Sequence, residues 1–125
     1  MMSFLPPLGR LLLSILFILA GLGKIWDPKG TLEYMSSKKM PAVPVLFVGA
    51  IIVEIAGGVS LLTGFYVRWG ALMLIAFLIP TTLIFHNFWA VQGQERQTQM
   101  TNFLKNLAII GGLIFVYVFG PYKIG

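Results

Sequence analysis

Four stretches of mostly apolar residues follow one another along this chain, each close to twenty residues long and separated from the next by Pro, Gly or clusters of charge. A run of that length and character crosses a bilayer as a helix. The pattern predicts transmembrane helices over about residues 8–26, 44–64, 67–88 and 103–119, within one domain spanning residues 1–125. The fold class is therefore all-α: an integral membrane four-helix bundle. In the first span Leu11 to Leu22 is interrupted by a single polar residue, Ser14, and Arg10 and Lys24 stand at its ends, where long basic side chains reach head groups. Pro44 occupies a permitted first-turn position of the second span and Gly64 is its stop. Pro80 lies inside the third, and Gly120 with Pro121 follows the fourth.

The connecting segments read differently from one another. Asp27 to Val43 carries Lys29, Glu33, Lys38 and Lys39 beside Tyr34 and Met35, which fits a short interfacial helix, an ordered loop or a plain solvated linker. Ala90 to Met100 is rich in Gln and carries Glu95 and Arg96, too polar for lipid, and reads as an aqueous connection. The first span has the apolar core of a cleaved signal peptide. However, Pro6, Pro7 and a lone Arg10 make a poor positive leader, so it is expected to stay as a helix.

Composition adds exclusions. Of 125 residues 58% are hydrophobic and 10% charged, whereas a soluble domain carries roughly 25% charged residues. So short a chain cannot hide that much apolar surface in one core. Ten Phe, three Trp and four Tyr exclude disorder. The absence of Cys removes disulfides, thiolate chemistry and iron–sulfur ligation, and a single His makes no metal site, so none is expected. The net charge of +5 belongs to membrane surfaces, and no nucleic-acid motif accompanies it. With four crossings, Lys24, Lys29, Lys38, Lys39, Arg96 and Lys105 fall on the face of the two longer loops, and Arg10, Arg68 and Lys123 on the face of the termini. The basic bias places those loops, the first and third, in the cytoplasm. Trp26, Tyr34 and Trp89 on one face and Tyr66, Trp69 and Tyr122 on the other supply interfacial belts.

The polar residues inside the spans carry the candidate chemistry. Glu54 sits midway along the second span, where an ionised carboxylate costs about 3 kcal/mol against lipid, so it must face protein or water. Ala50, Gly57 and Gly58 share its helical face and admit a neighbouring helix. Two readings stand: a neutral or ion-paired residue that fixes helix register, or a proton or ligand site. Lys24, His86, Lys105 and Asn106 fall at span ends on one membrane face and can converge; taken singly, they read as snorkelling anchors, an interfacial His and inter-helix glue. Thr82 lies one turn before His86, and Pro80 frees a carbonyl that a Thr hydroxyl or water can satisfy. Gly21 with Gly23, Gly57 with Gly58, and Gly111 with Gly112 are expected at close helix contacts.

Four pieces in order then carry a family resemblance: Gly9 to Ile25, Glu54 to Arg68, His86-Asn87-Phe88-Trp89, and Thr101 to Asn106 with Gly111-Gly112. Together they resemble the DoxX family of small four-helix membrane proteins. The resemblance covers nearly the whole chain and implies a bundle in a bacterial plasma membrane. Relatives are linked to quinone-dependent sulfur oxidation, to terminal oxidases and to membrane-associated oxidoreductase complexes. A quinone head requires hydrogen-bond donors, a nearby proton source and an apolar slot for its tail. Of the expected catalytic residues, Glu54 delivers or accepts protons and His86 donates to one quinone carbonyl, while Trp89 walls the head group and Lys24, Lys105 or Asn106 supply further donors around it. Quinone and oxidoreductase partner proteins are thus the expected ligand and partners, in addition to the lipid bilayer. Two other functions compete: a non-catalytic scaffold that recruits partners through its loops, and proton-coupled transport of a small solute, which in four helices would need a homo-oligomer.

Overall fold

In a computed structural model the structure describes residues 4–119. Five α-helices follow in order: α1 (Leu5–Trp26), α2 (Pro28–Ser37), α3 (Val43–Thr63), α4 (Val67–Phe85) and α5 (Gly93–Phe119), with a 3-10 turn at Phe88–Ala90 before the last. The described residues contain no strand, and α1, α3, α4 with its following turn, and α5 are each long and apolar enough to cross a membrane. The protein is an all-α membrane bundle. Gly120, Pro121, Tyr122 and Lys123, assigned above to the end of the last span and its interface, lie outside the described residues.

Three boundaries depart from the sequence expectation, each for a local reason. Helix α1 starts at Leu5 and not at residue 8, because Pro6 and Pro7 occupy the first turn, where a missing N–H breaks no helical bond. Helix α5 starts at Gly93, ten positions before the apolar run. Its leading Gln, Glu and Arg residues are strong helix formers, so the segment read as an aqueous connection is helical while remaining exposed. Helix α4 ends at Phe85 instead of residue 88, and the chain turns at His86 and Asn87 into the 3-10 segment. Of the forms open to the segment between the first two spans, it takes the helix, α2, which buries Met35 and leaves Lys29 and Glu33 exposed.

Helices α1 and α3 pack tightly through two glycines. A Cβ on Gly21 would stand 2.6 Å from Ile55 Cγ1, and one on Gly58 would stand 2.7 Å from Ile18 Cγ1 and 3.2 Å from the Ile18 backbone nitrogen. Gly57 plays the same part toward α4, where a Cβ would meet Leu74 at 2.6 Å. Gly23 and Gly111 face open space, and Gly112 makes only ordinary contact with Leu13, so close packing does not account for those three. Gly64, at φ 78°, takes the left-handed conformation that ends α3 and turns the chain into α4. Ser60 Oγ donates to the carbonyls of Phe65 and Tyr66 at 2.7 and 3.1 Å and fastens that turn. The core is built of Phe17, Leu61, Val67, Ala71, Leu74, Leu78, Leu113 and Val116. It lies nearer the α3–α4 turn than the loop face, leaving room at the loop end.

Candidate functional site

Glu54 belongs to the buried face of α3 that also carries Phe47, Gly57, Gly58 and Leu61, and it is 5% exposed. The carboxylate is sheltered by protein. Its partner comes from the end of α1, where Lys24 Nζ stands 2.6 Å from Glu54 Oε1. Gly21 makes this reach possible: it lies one turn before Lys24 on the same helical face, and its missing Cβ lets α1 approach Glu54 itself, whose Cβ would be 3.5 Å from a Cβ there. Among the described residues no other group bonds either head, so Glu54 Oε2 and two ammonium hydrogens remain for something else. A pair of opposite charges in apolar surroundings is tolerable because each offsets the other's desolvation.

The pair lines a cavity of about 730 Å³ at the loop end of the bundle. Its walls are predominantly apolar side chains of α1, α3 and α4, with Lys24, Glu54, His86 and Asn106 among the lining residues. Four of the six residues singled out from sequence therefore share one space. The other two do not line it. Lys105 is exposed, since its neighbour Asn106 is the residue facing inward and adjacent positions of a helix diverge. Trp89 packs edge-on against Phe88 and Phe103 at 5.3 and 5.9 Å between centroids, forming an aromatic corner with its ring half exposed.

The polar members are tied down by neighbours. Asn106 Nδ2 donates to Thr82 Oγ1 at 3.0 Å, linking α5 to a threonine that is 2% exposed. Thr82 is thus engaged by Asn106, and the hydroxyl that bonds back along α4 is that of Thr81, to the Phe77 carbonyl at 2.7 Å. His86 Nδ1 lies 2.9 Å from Gln99 Oε1 on α5. The neutral tautomer that fits this contact carries its proton on Nδ1 and leaves Nε2 as an acceptor.

Residues absent from the sequence-based candidates close the cavity on the loop side. Tyr34 Oη donates to the Phe85 carbonyl at 2.9 Å, capping an end group of α4 that lacks a helical partner, and the two rings lie 5.1 Å apart. Lys38 Nζ donates to Asn87 Oδ1 at 3.1 Å and sits 5.6 Å above the Tyr34 ring. Tyr34 lies on α2 and Lys38, four positions on, is the residue that caps its C-terminus, so both clasps act from the same end of that helix. Their spacing is visible in the sequence; their acceptors, at the end of α4, are not.

Comparison with known proteins points to a family and to relatives named as inner membrane proteins. The family model described as DoxX matches residues 5–87, which takes in α1 to α4 and His86. The chain is 36% identical over 113 residues to inner membrane protein YqjF of Escherichia coli K12, covering 90% of this chain and 82% of that protein. It is 28% identical over 114 residues to inner membrane protein YphA of the same organism, covering 91% of this chain and 81% of that protein. No solved structure matches it significantly.

Proposed function

The chain belongs to the DoxX family, and from that footing we propose that it is a membrane subunit that binds an uncharged, quinone-like amphiphile in the loop-end cavity on behalf of an oxidoreductase. The observation that carries the reading is the gathering of Lys24, Glu54, His86 and Asn106 on the wall of one otherwise apolar cavity. Its volume falls within the few hundred to about 1,000 Å³ of small-molecule sites, and such sites combine apolar walls with a few fixed polar groups. A quinone ring supplies two carbonyl acceptors. Lys24 has two ammonium hydrogens free to donate, Asn106 has a second amide hydrogen, and Glu54 Oε2 stands ready to hold or release a proton. The chain's part is to bind the head, orient it and hold a proton beside it; electrons come from a partner protein. On this reading the protein sits in a bacterial inner membrane, in line with the names of its relatives, and the basic bias of the first and third loops supports a cytoplasmic side for them.

The test is direct. Purified protein in lipid nanodiscs is titrated with ubiquinone and menaquinone analogues carrying short tails. Saturable binding is expected, weakened at least tenfold by Glu54→Gln and by Asn106→Leu and unchanged by Lys105→Gln. Absence of saturable binding to the unsubstituted protein, or binding indifferent to both cavity substitutions, refutes the reading.

A second reading, a scaffold without a ligand, is favoured by the exposed polar turns that open α5. At 1.5 Å per residue this 27-residue helix is about 40 Å long, more than the roughly 30 Å of hydrocarbon, so Gln94 to Gln97 stand clear of lipid. Under that reading, replacing Gln94 to Gln97 with Ala releases a co-purifying oxidoreductase while Glu54→Gln does not.

A further inference from the structure

Helices α3 and α4 are not evenly spaced along their lengths. Toward the turn that joins them the packing leaves no room for a side chain at either glycine: Gly70 faces Ser60 in the closest contact of the pair, and Gly57 takes Leu74 against its backbone. Toward the loop face the two helices part. A Cβ added to Gly49 would meet nothing within 4 Å, Val45 is 71% exposed, and Ile84 across the gap is exposed as well. The cavity occupies this opening, lined on one flank by Val45, Gly49 and Val53 and on the other by Phe77, Thr81 and Ile84. The aqueous end is covered by α2, held to the end of α4 through Tyr34 and Lys38. Val45, Gly49 and Ile84 line the cavity from two membrane-spanning helices, so an opening between them faces acyl chains.

Resting on the reading above, we propose that the cavity is loaded laterally from the bilayer through the gap between the first half of α3 and the second half of α4. Its ligand is an amphiphile with an uncharged head and a hydrocarbon tail, the head reaching the Lys24–Glu54 pair and the tail lying in the gap. The charge state follows from the pair itself. Lys24 and Glu54 neutralise each other, so a charged head would arrive among apolar walls with no counter-charge to meet it. The tail follows from the gap, whose flanking residues named above are apolar apart from the Thr81 hydroxyl, and that hydroxyl is already bonded to the Phe77 carbonyl.

Because the chain has no Cys, single cysteines report one position each. Gly49→Cys, Ile52→Cys and Lys39→Cys proteins carry a nitroxide in nanodiscs, and collision rates with oxygen and with a water-soluble nickel chelate are measured; position 52 is the lipid control and position 39 the water control. The label at position 49 is expected to match position 52, with oxygen access high and nickel access at least fivefold below position 39. Decyl-ubiquinone is expected to slow the label at position 49 and leave position 52 unchanged. In a second arm, Gly49→Trp lowers affinity for decyl-ubiquinone at least tenfold and that for the tail-less dimethoxy-methyl-benzoquinone less than twofold. Nickel access at position 49 equal to that at position 39, or equal loss of both quinones in Gly49→Trp, overturns the lateral mouth even when quinone binds. Oxygen access at position 49 with no quinone bound by the unsubstituted protein upholds a mouth open to lipid and refutes the quinone reading instead.

Discussion

Lys24 and Glu54, thirty positions apart in sequence, meet at 2.6 Å in the wall of the cavity, the lysine 20% exposed and the glutamate 6% by side chain. The contact joins α1 to α3. It rests on a glycine, Gly21, which brings the two backbones near enough for the side chains to touch.

Removing one charge leaves the other buried and alone. Lys24→Met is expected to destabilise the bundle by about 3 kcal/mol, while Lys24→Met with Glu54→Gln together recovers most of that loss. Unfolding equilibria in mixed micelles measure both. A double variant no more stable than Lys24→Met shows that the pair does not couple.

The glycine contacts separate into tight and open sites. Gly58→Val drives methyl groups into Ile18, including its backbone, and is expected to cost about 2 kcal/mol. Gly111→Ala meets open space and gains helix propensity, so stability holds or rises by up to about 1 kcal/mol. Equal losses in the two variants would contradict the packing described.

The bond from Asn106 to Thr82 is a polar link between membrane helices, which average about 0.6 kcal/mol. Asn106→Leu should therefore cost little stability, and Thr82→Val added to it should cost no more. A loss above about 2 kcal/mol would mean that Asn106 serves the fold more than any ligand.

Helix α2 is fastened by Tyr34 and Lys38. Tyr34→Phe removes the hydroxyl that caps Phe85 and keeps the ring contact, a loss of about 1 kcal/mol, or roughly fivefold in local opening. Hydrogen exchange over residues 28–38 should rise by that factor with α3 unaffected. Unchanged exchange would show that α2 is held by other means.

The apolar pattern determined the four spans and the need for Glu54 to face protein, because lipid forces chain segments of a given length into helices and penalises an unsheltered charge, whereas between the first two spans it left a helix and a linker both open. The ends were less legible: polar helix formers before the last span extend α5, and a tyrosine from α2 takes the carbonyl that closes α4, effects that depend on propensity and on a distant donor. Lys24, Glu54, His86 and Asn106 were readable as polar residues at membrane depth or at helix ends. Which of them share a cavity was decided by helix rotation: residue 106 turns inward and residue 105 outward, and hydrophobicity alone does not set that angle in a helix apolar over most of its circumference. The partner of Glu54, the clasp of α2 and the gap between α3 and α4 belong to the tertiary structure, because each arises where separate helices meet, and how closely they meet depends on side-chain volumes on both sides at once.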